Sequence, residues 1–106
     1  MSVKDLGSIF KQAQEMQTKM ADVQRDLAEK KVEVSTGGGM VKVVANGINE
    51  IISINIDDEL INMNDREVLE DLITGAINEV HRKVKELAQE EMTRFTGGIK
   101  IPGLFP

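Results

Sequence analysis

Between Leu6 and Leu27 the apolar residues fall at Leu6, Ile9, Ala13, Met16, Met20, Val23 and Leu27, in steps that alternate between three and four. That spacing is a heptad seam, the mark of a helix that buries one narrow stripe against another helix. Phe10 widens the stripe at one end, and the flanks are Lys, Gln, Glu, Asp and Arg. Glu15 stands four residues before Lys19, a favourable helical pairing. A helix from Leu6 to Lys30 would be roughly 37 Å long at ~1.5 Å per residue. That exceeds the face of a small sheet, so part of this helix is expected to overhang the rest of the fold.

Three strand-like runs follow. Val32-Glu33-Val34-Ser35 alternates, Met40 to Ala45 alternates around Lys42, and Glu50 to Ile56 puts Ile52, Ile54 and Ile56 on one face. Asn46-Gly47 between the second and third runs is a strong hairpin signal. Gly37-Gly38-Gly39 separates the first and second. A phosphate-binding loop would need Gly-x-x-x-x-Gly-Lys-Ser/Thr ahead of a helix. Here Met40-Val41-Lys42 follows and reads as strand, so the glycines serve a hairpin, using their freedom at positive φ.

The second helix has a marked start. Asn64 suits the N-cap, Glu67 completes a capping box, and Met63 with Val68 is placed as a hydrophobic staple. Val68, Leu69, Leu72, Ile73, Ala76, Ile77 and Val80 form an apolar face broad enough to cover a sheet. Beyond Val80 the stripe narrows to Val84, Leu87, Ala88 and Met92, and Gly97-Gly98 is placed to end the helix. The expected architecture is α+β, ordered α-β-β-β-α, with a three-stranded antiparallel meander and two long helices as projecting arms. One domain spans residues 1–106, with a helix over about 5–30, strands over about 32–36, 40–46 and 50–57, a helix over about 65–96 and an apolar tail over 97–106. The free ends, residues 1–20 and 80–96, are expected to lie side by side.

Composition narrows the chemistry. The chain has no cysteine, which removes disulfides and thiolate metal sites and fits a reducing compartment. His81 is the only histidine and sits beside Arg82, Lys83 and Lys85. A lone His makes no zinc site and gives general-base chemistry little to work with. Asp57-Asp58-Glu59 lacks the spaced ligands of a calcium loop and reads as a solvated loop. The methionines Met16 and Met20 read as core. No catalytic set, metal site, cofactor or small-molecule substrate is expected, and no leader peptide or membrane span.

The net charge of −5 is unevenly spread: residues 1–31 carry +1, residues 32–79 carry −8 and residues 80–106 carry +2. The middle is acidic and the projecting ends are mildly basic.

With these features in place, the chain resembles the YbaB/EbfC nucleoid-associated proteins of bacteria. The resemblance rests on "LGSIFKQAQEMQTKMADVQRDLAEKKVEVS", "GGGMVKVVANG", "SINID", the helix "EVLEDLITGAINEVHRKVKELAQEEM" and the terminal "GGIKIPGLF". It implies a small, non-catalytic protein of the cytoplasm and nucleoid, a tweezer-like homodimer with joined sheets, and double-stranded DNA as partner. One departure is Ile48-Asn49 in the second hairpin, where relatives commonly carry Lys or Gly. This tip is a poorer phosphate contact for it.

The DNA-contact candidates come from the charge of the arms: Lys4, Lys11, Lys19, Arg82, Lys83, Lys85, Arg94 and Lys100. Such contacts position a protein on the phosphate backbone without reading sequence. Leu6, Ile9, Met16, Met20, Val23 and Leu27 form the seam expected to serve the dimer or the core. A seam longer than the sheet, open strand edges and a small core volume all call for a second copy. Sheet pairing and helix packing both remain open as the two-fold surface. The alternative function is a protein–protein adaptor for replication or recombination proteins, acting through the acidic middle and the apolar tail around Leu104 and Phe105.

Overall fold

In the computed structural model, which describes residues 3–95, two long helices flank a small sheet. The order is α1 (Val3–Glu29), β1 (Lys31–Thr36), β2 (Val41–Asn46), β3 (Ile51–Ile56), α2 (Asp58–Asn62) and α3 (Arg66–Phe95). The strands pair as an antiparallel meander in the order β1-β2-β3. Val34 lies opposite Val43, and Val43 opposite Ile54, with a bulge at Val44/Ala45. Gly37–Gly39 make a 3-10 turn between β1 and β2, with φ of +62°, +67° and +96°. All three values are left-handed, which is where glycine is needed.

The core is one layer thick. Val34, Val41, Val43 and Ala45 from the sheet meet Ala76, Val80 and Val84 of α3, and Leu60 of α2 closes one side. Thr36 Oγ1 donates to the Leu72 carbonyl at 2.8 Å, fixing α3 against the end of β1. α3 packs chiefly on β1 and β2.

The molecule is elongated, measuring 72 × 23 × 18 Å with a Cα radius of gyration of 20.0 Å. A compact chain of this length would be nearer ~13 Å. The overhang expected from the heptad seam accounts for this. Leu27 is buried and Met20 and Val23 are half-buried, but Leu6, Ile9 and Met16 are exposed. Met16, read from sequence as core, is 54% exposed because the described part of α3 does not reach it. Val80 and Val84 are buried in the sheet core, so α3 stays on the sheet to about Val84 rather than leaving it at residue 80. Its last turns then meet the C-terminal part of α1, where Lys30 donates to Glu91.

Two local features differ from the sequence expectations. Asp57-Asp58-Glu59 is no loop: Asp57 caps α2, its carboxylate accepting from the Glu59 amide at 3.3 Å, and Leu60 anchors that helix. The cap of α3 is Asp65, which accepts from the Val68 amide at 3.2 Å. Asn64 instead takes a left-handed φ of +52°, turning the chain between α2 and α3. Met63 is the C-cap of α2 and is half exposed. The glycine pair at 97–98 and the tail lie outside the described residues.

Candidate nucleic-acid interface

The basic residues singled out in the sequence separate into two patches. Lys11 and Lys19 stand on the projecting part of α1. With Gln14, Glu15 and Thr18 they line an open trough of about 420 Å³. Glu15 and Lys19 share this trough without forming an ion pair. The second patch lies where α3 crosses the sheet. Lys83 lines a groove of about 350 Å³ at the β1 edge with Glu33, Val34, Ser35, Lys42 and Glu79. Lys85 is exposed on the same stretch of α3. Lys4 lies in the first turn of α1, its side chain outside the described set, and Lys100 lies outside the described residues.

The cations are not equivalent. Arg82 is clamped on its own helix: Nε and Nη2 donate to the Glu79 carboxylate at 3.1 and 2.6 Å, and Nη1 donates to Glu86. The Glu79 hydrogen bonds, then the charges of Glu79 and Glu86, push the Arg82 pKa further up, and the same bonds hold Glu79 below the usual carboxylate range. Arg94 pairs with Glu91 at 3.2 Å. Lys11, Lys19, Lys83 and Lys85 take part in none of the ion pairs formed among the described residues. Together with Lys31 and Lys42, they are the described lysines with charge left for an external anion. Sequence position alone gave no means of ranking Arg82 below Lys83.

Glu91 is the pivot between α1 and α3. It is buried, and it accepts from Lys30 while Arg94 stands beside it. The Lys30 hydrogen bond, helped by the charge of Arg94 and opposed by desolvation, holds its carboxyl below the usual range. Neither Lys30 nor Lys42 was singled out from sequence. Alternation along β2 puts Lys42 opposite the core, and the position of α3 makes it and Lys83 line the same groove at the β1 edge.

Among the described residues no three His, Cys, Asp or Glu side chains gather closely enough to hold a metal ion. His81 is exposed on α3. No described helix is long and apolar enough to cross a membrane.

The seam helix, the glycine hairpin and the sheet-covering helix together match the sequence profile of the YbaB/EbfC DNA-binding family over residues 1–99. The chain belongs to that family. A nucleoid-associated protein of Caldanaerobacter subterraneus is 46% identical over 101 residues, covering 95% of this chain and 91% of the relative. One from Desulfotalea psychrophila is 47% identical over 100 residues, covering 94% of each chain. The crystal structure of an uncharacterized Helicobacter pylori protein superposes with a TM-score of 0.75 at 24% identity. It covers 91% of this chain and 98% of that one, and speaks to the fold alone. This member of the family carries its free lysines on two separate surfaces, the outer arm and the crossing of α3 over the sheet.

Proposed function

We propose that this chain binds double-stranded DNA through the phosphate backbone as a non-catalytic homodimer, and that it acts at the nucleoid. The observation that carries the reading is that four of the basic residues singled out from the sequence, Lys11, Lys19, Lys83 and Lys85, form no ion pair among the described residues of a DNA-binding family member. Phosphate contacts need cations that are not already neutralised within the chain. They also reconcile a net charge of −5 with DNA, because the acidic residues lie mainly between positions 32 and 79.

The homodimer is supported at β3. This strand is one of the two edges of the sheet, and Ile54 shares a face with buried Val43 yet is 45% exposed. Ile52 is 49% exposed, and Ile61 and Met63 nearby are also open. An apolar, unpaired edge of this kind is a template for a second copy. Two copies joined there would present two α1 arms, the tweezer arrangement.

The test is a titration of labelled duplex DNA at several salt concentrations, with the mass in solution measured alongside. A dimer whose log affinity falls steeply with log salt is the expected result. A dimer that ignores DNA at low salt refutes the reading and favours the adaptor function.

A further inference from the structure

Asn46 and Gly47 form the one Asn-Gly pair of the chain. This dipeptide is prone to deamidation, because glycine has no side chain to shield its nitrogen from the preceding carboxamide. The glycine nitrogen attacks Cγ of the asparagine and a C–N bond forms. Nδ2 leaves as ammonia, carrying the proton that the nitrogen gives up. Water then opens the succinimide at either carbonyl, giving aspartate or isoaspartate.

The glycine is here because of α1. Its φ is not left-handed, so the turn does not demand it. A Cβ would stand 2.4 Å from the Leu27 oxygen, so the passing helix does. The docking of the arm therefore creates the vulnerable pair. We infer that Asn46 is a latent deamidation site, held shut by the docking of α1 and opened when the arm detaches.

The asparagine is already poised. Its Oδ1 accepts from the Ile48 amide at 3.1 Å and from the Glu50 amide at 2.9 Å. Donors in that place stabilise the negative charge that grows on Oδ1 during attack, as in an oxyanion hole. Nδ2, the leaving group, donates to the Glu50 carboxylate at 2.9 Å. What opposes the reaction is the hold on the nucleophile. The Gly47 N–H donates at once to the Leu27 carbonyl at 2.8 Å and to the Lys30 carbonyl at 3.2 Å. Attack needs that proton to leave and the nitrogen to turn toward Cγ. Asn46 is also buried, which keeps out the water of the second step. An opening in which α1 withdraws while the hairpin persists releases the nitrogen and leaves the two donors in place, and local openings of this kind cost less than global unfolding.

The product does not close again. Aspartate puts a carboxylate oxygen where an amide donated to Glu50, setting two negative groups together. Isoaspartate adds a methylene to the main chain beside Gly47 and moves its N–H off the Leu27 carbonyl. Deamidation thus makes a reversible detachment of the arm permanent. The inference is independent of DNA binding.

The test incubates the full chain at neutral pH and follows aspartate and isoaspartate at position 46 by mass spectrometry after proteolysis. The native chain is expected to react at least tenfold more slowly than the same chain in urea; equal rates overturn the lock. Leu27→Ala and Leu60→Ala each remove a buried leucine, but only Leu27 belongs to α1. With both variants folded by circular dichroism, Leu27→Ala is expected to react at least threefold faster than Leu60→Ala. Equal rates there assign the opening to global unfolding and overturn the role of the arm. Asn46→Asp stands in for one product, and exchange of its Gly47 amide is expected to quicken at least severalfold. Unchanged exchange overturns the one-way character of the step.

Discussion

Gly47→Ala is the sharpest single test of how the arm is attached. The Gly47 amide donates to the Leu27 carbonyl at 2.8 Å and to the Lys30 carbonyl at 3.2 Å, joining the β2–β3 hairpin to the end of α1. A Cβ on Gly47 would stand 2.4 Å from the Leu27 oxygen and 3.0 Å from its carbonyl carbon and Cα. These are backbone atoms of a helix, so relief requires α1 to shift. Overpacking of this kind costs about 1–3 kcal/mol. Weakening the shared hydrogen bond adds about 1 kcal/mol. The expected loss is therefore about 2–4 kcal/mol, measured by urea unfolding followed by far-ultraviolet circular dichroism at fixed protein concentration. Gly38→Ala is the control: nothing lies within 4 Å of its Cβ, and its φ of +67° leaves only the left-handed backbone penalty, about 1–2 kcal/mol. If Gly47→Ala loses no more than about 0.5 kcal/mol, about the level of an innocuous surface change, the close approach of hairpin and helix is refuted.

Three further outcomes are expected. Leu60→Ala empties the one fully buried side chain of α2 and should lose about 2–5 kcal/mol by the same unfolding assay, whereas Ile61→Ala, on the exposed side, should lose far less in the monomer. Replacing Lys11, Lys19, Lys83 and Lys85 by Gln should flatten the salt dependence of DNA binding by about one slope unit for each phosphate no longer neutralised. Arg82→Gln should change it much less, since Glu79 and Glu86 already hold that charge; an equal effect would count against the ranking. Glu91 has a folded pKa below its unfolded value. Its stabilising contribution is present above the ordinary carboxylate pKa, about 4.3, and fades as pH falls through the lower folded value. The stability gap between the native chain and Glu91→Gln should therefore be open at pH 7 and closed in strong acid, and a gap independent of pH would exclude the charged pivot.

Much of the fold could be read from spacing. The three–four steps from Leu6 to Leu27 marked α1, the alternation around Val34, Val43 and Ile54 marked the strands, and the apolar face from Val68 to Val80 marked the helix over the sheet. α2 is not legible in the sequence because five residues are too few to display a helical period, and its one buried side chain, Leu60, looks like any loop leucine. The α3 cap lies one residue beyond the position the sequence suggests, because Asn64 and Asp65 are both competent caps and Asn64 takes the left-handed conformation in the turn out of α2. The basic residues were visible as a set, but their division into clamped and free groups depended on rotamers around Glu79, Glu86 and Glu91.

Asn46-Gly47 shows where the division falls. By itself the pair determined that a hairpin forms there, since Asn and Gly both suit tight turns. In the structure the turn is built on the Asn46 side chain, whose Oδ1 accepts from the Ile48 and Glu50 amides at 3.1 and 2.9 Å, and the left-handed residue is Asn49. Gly47 is required for a different reason: α1 passes so close that no Cβ fits. Local spacing set the two long helices, the three strands and their order, though not the short α2, because helical and strand periods and the glycine turn at 37–39 follow from backbone geometry over a few residues. Packing set which part of the described seam is covered, which basic side chains are held in ion pairs and why Gly47 is a glycine. Those depend on distances between segments remote in the chain, which packing sets and local spacing does not encode.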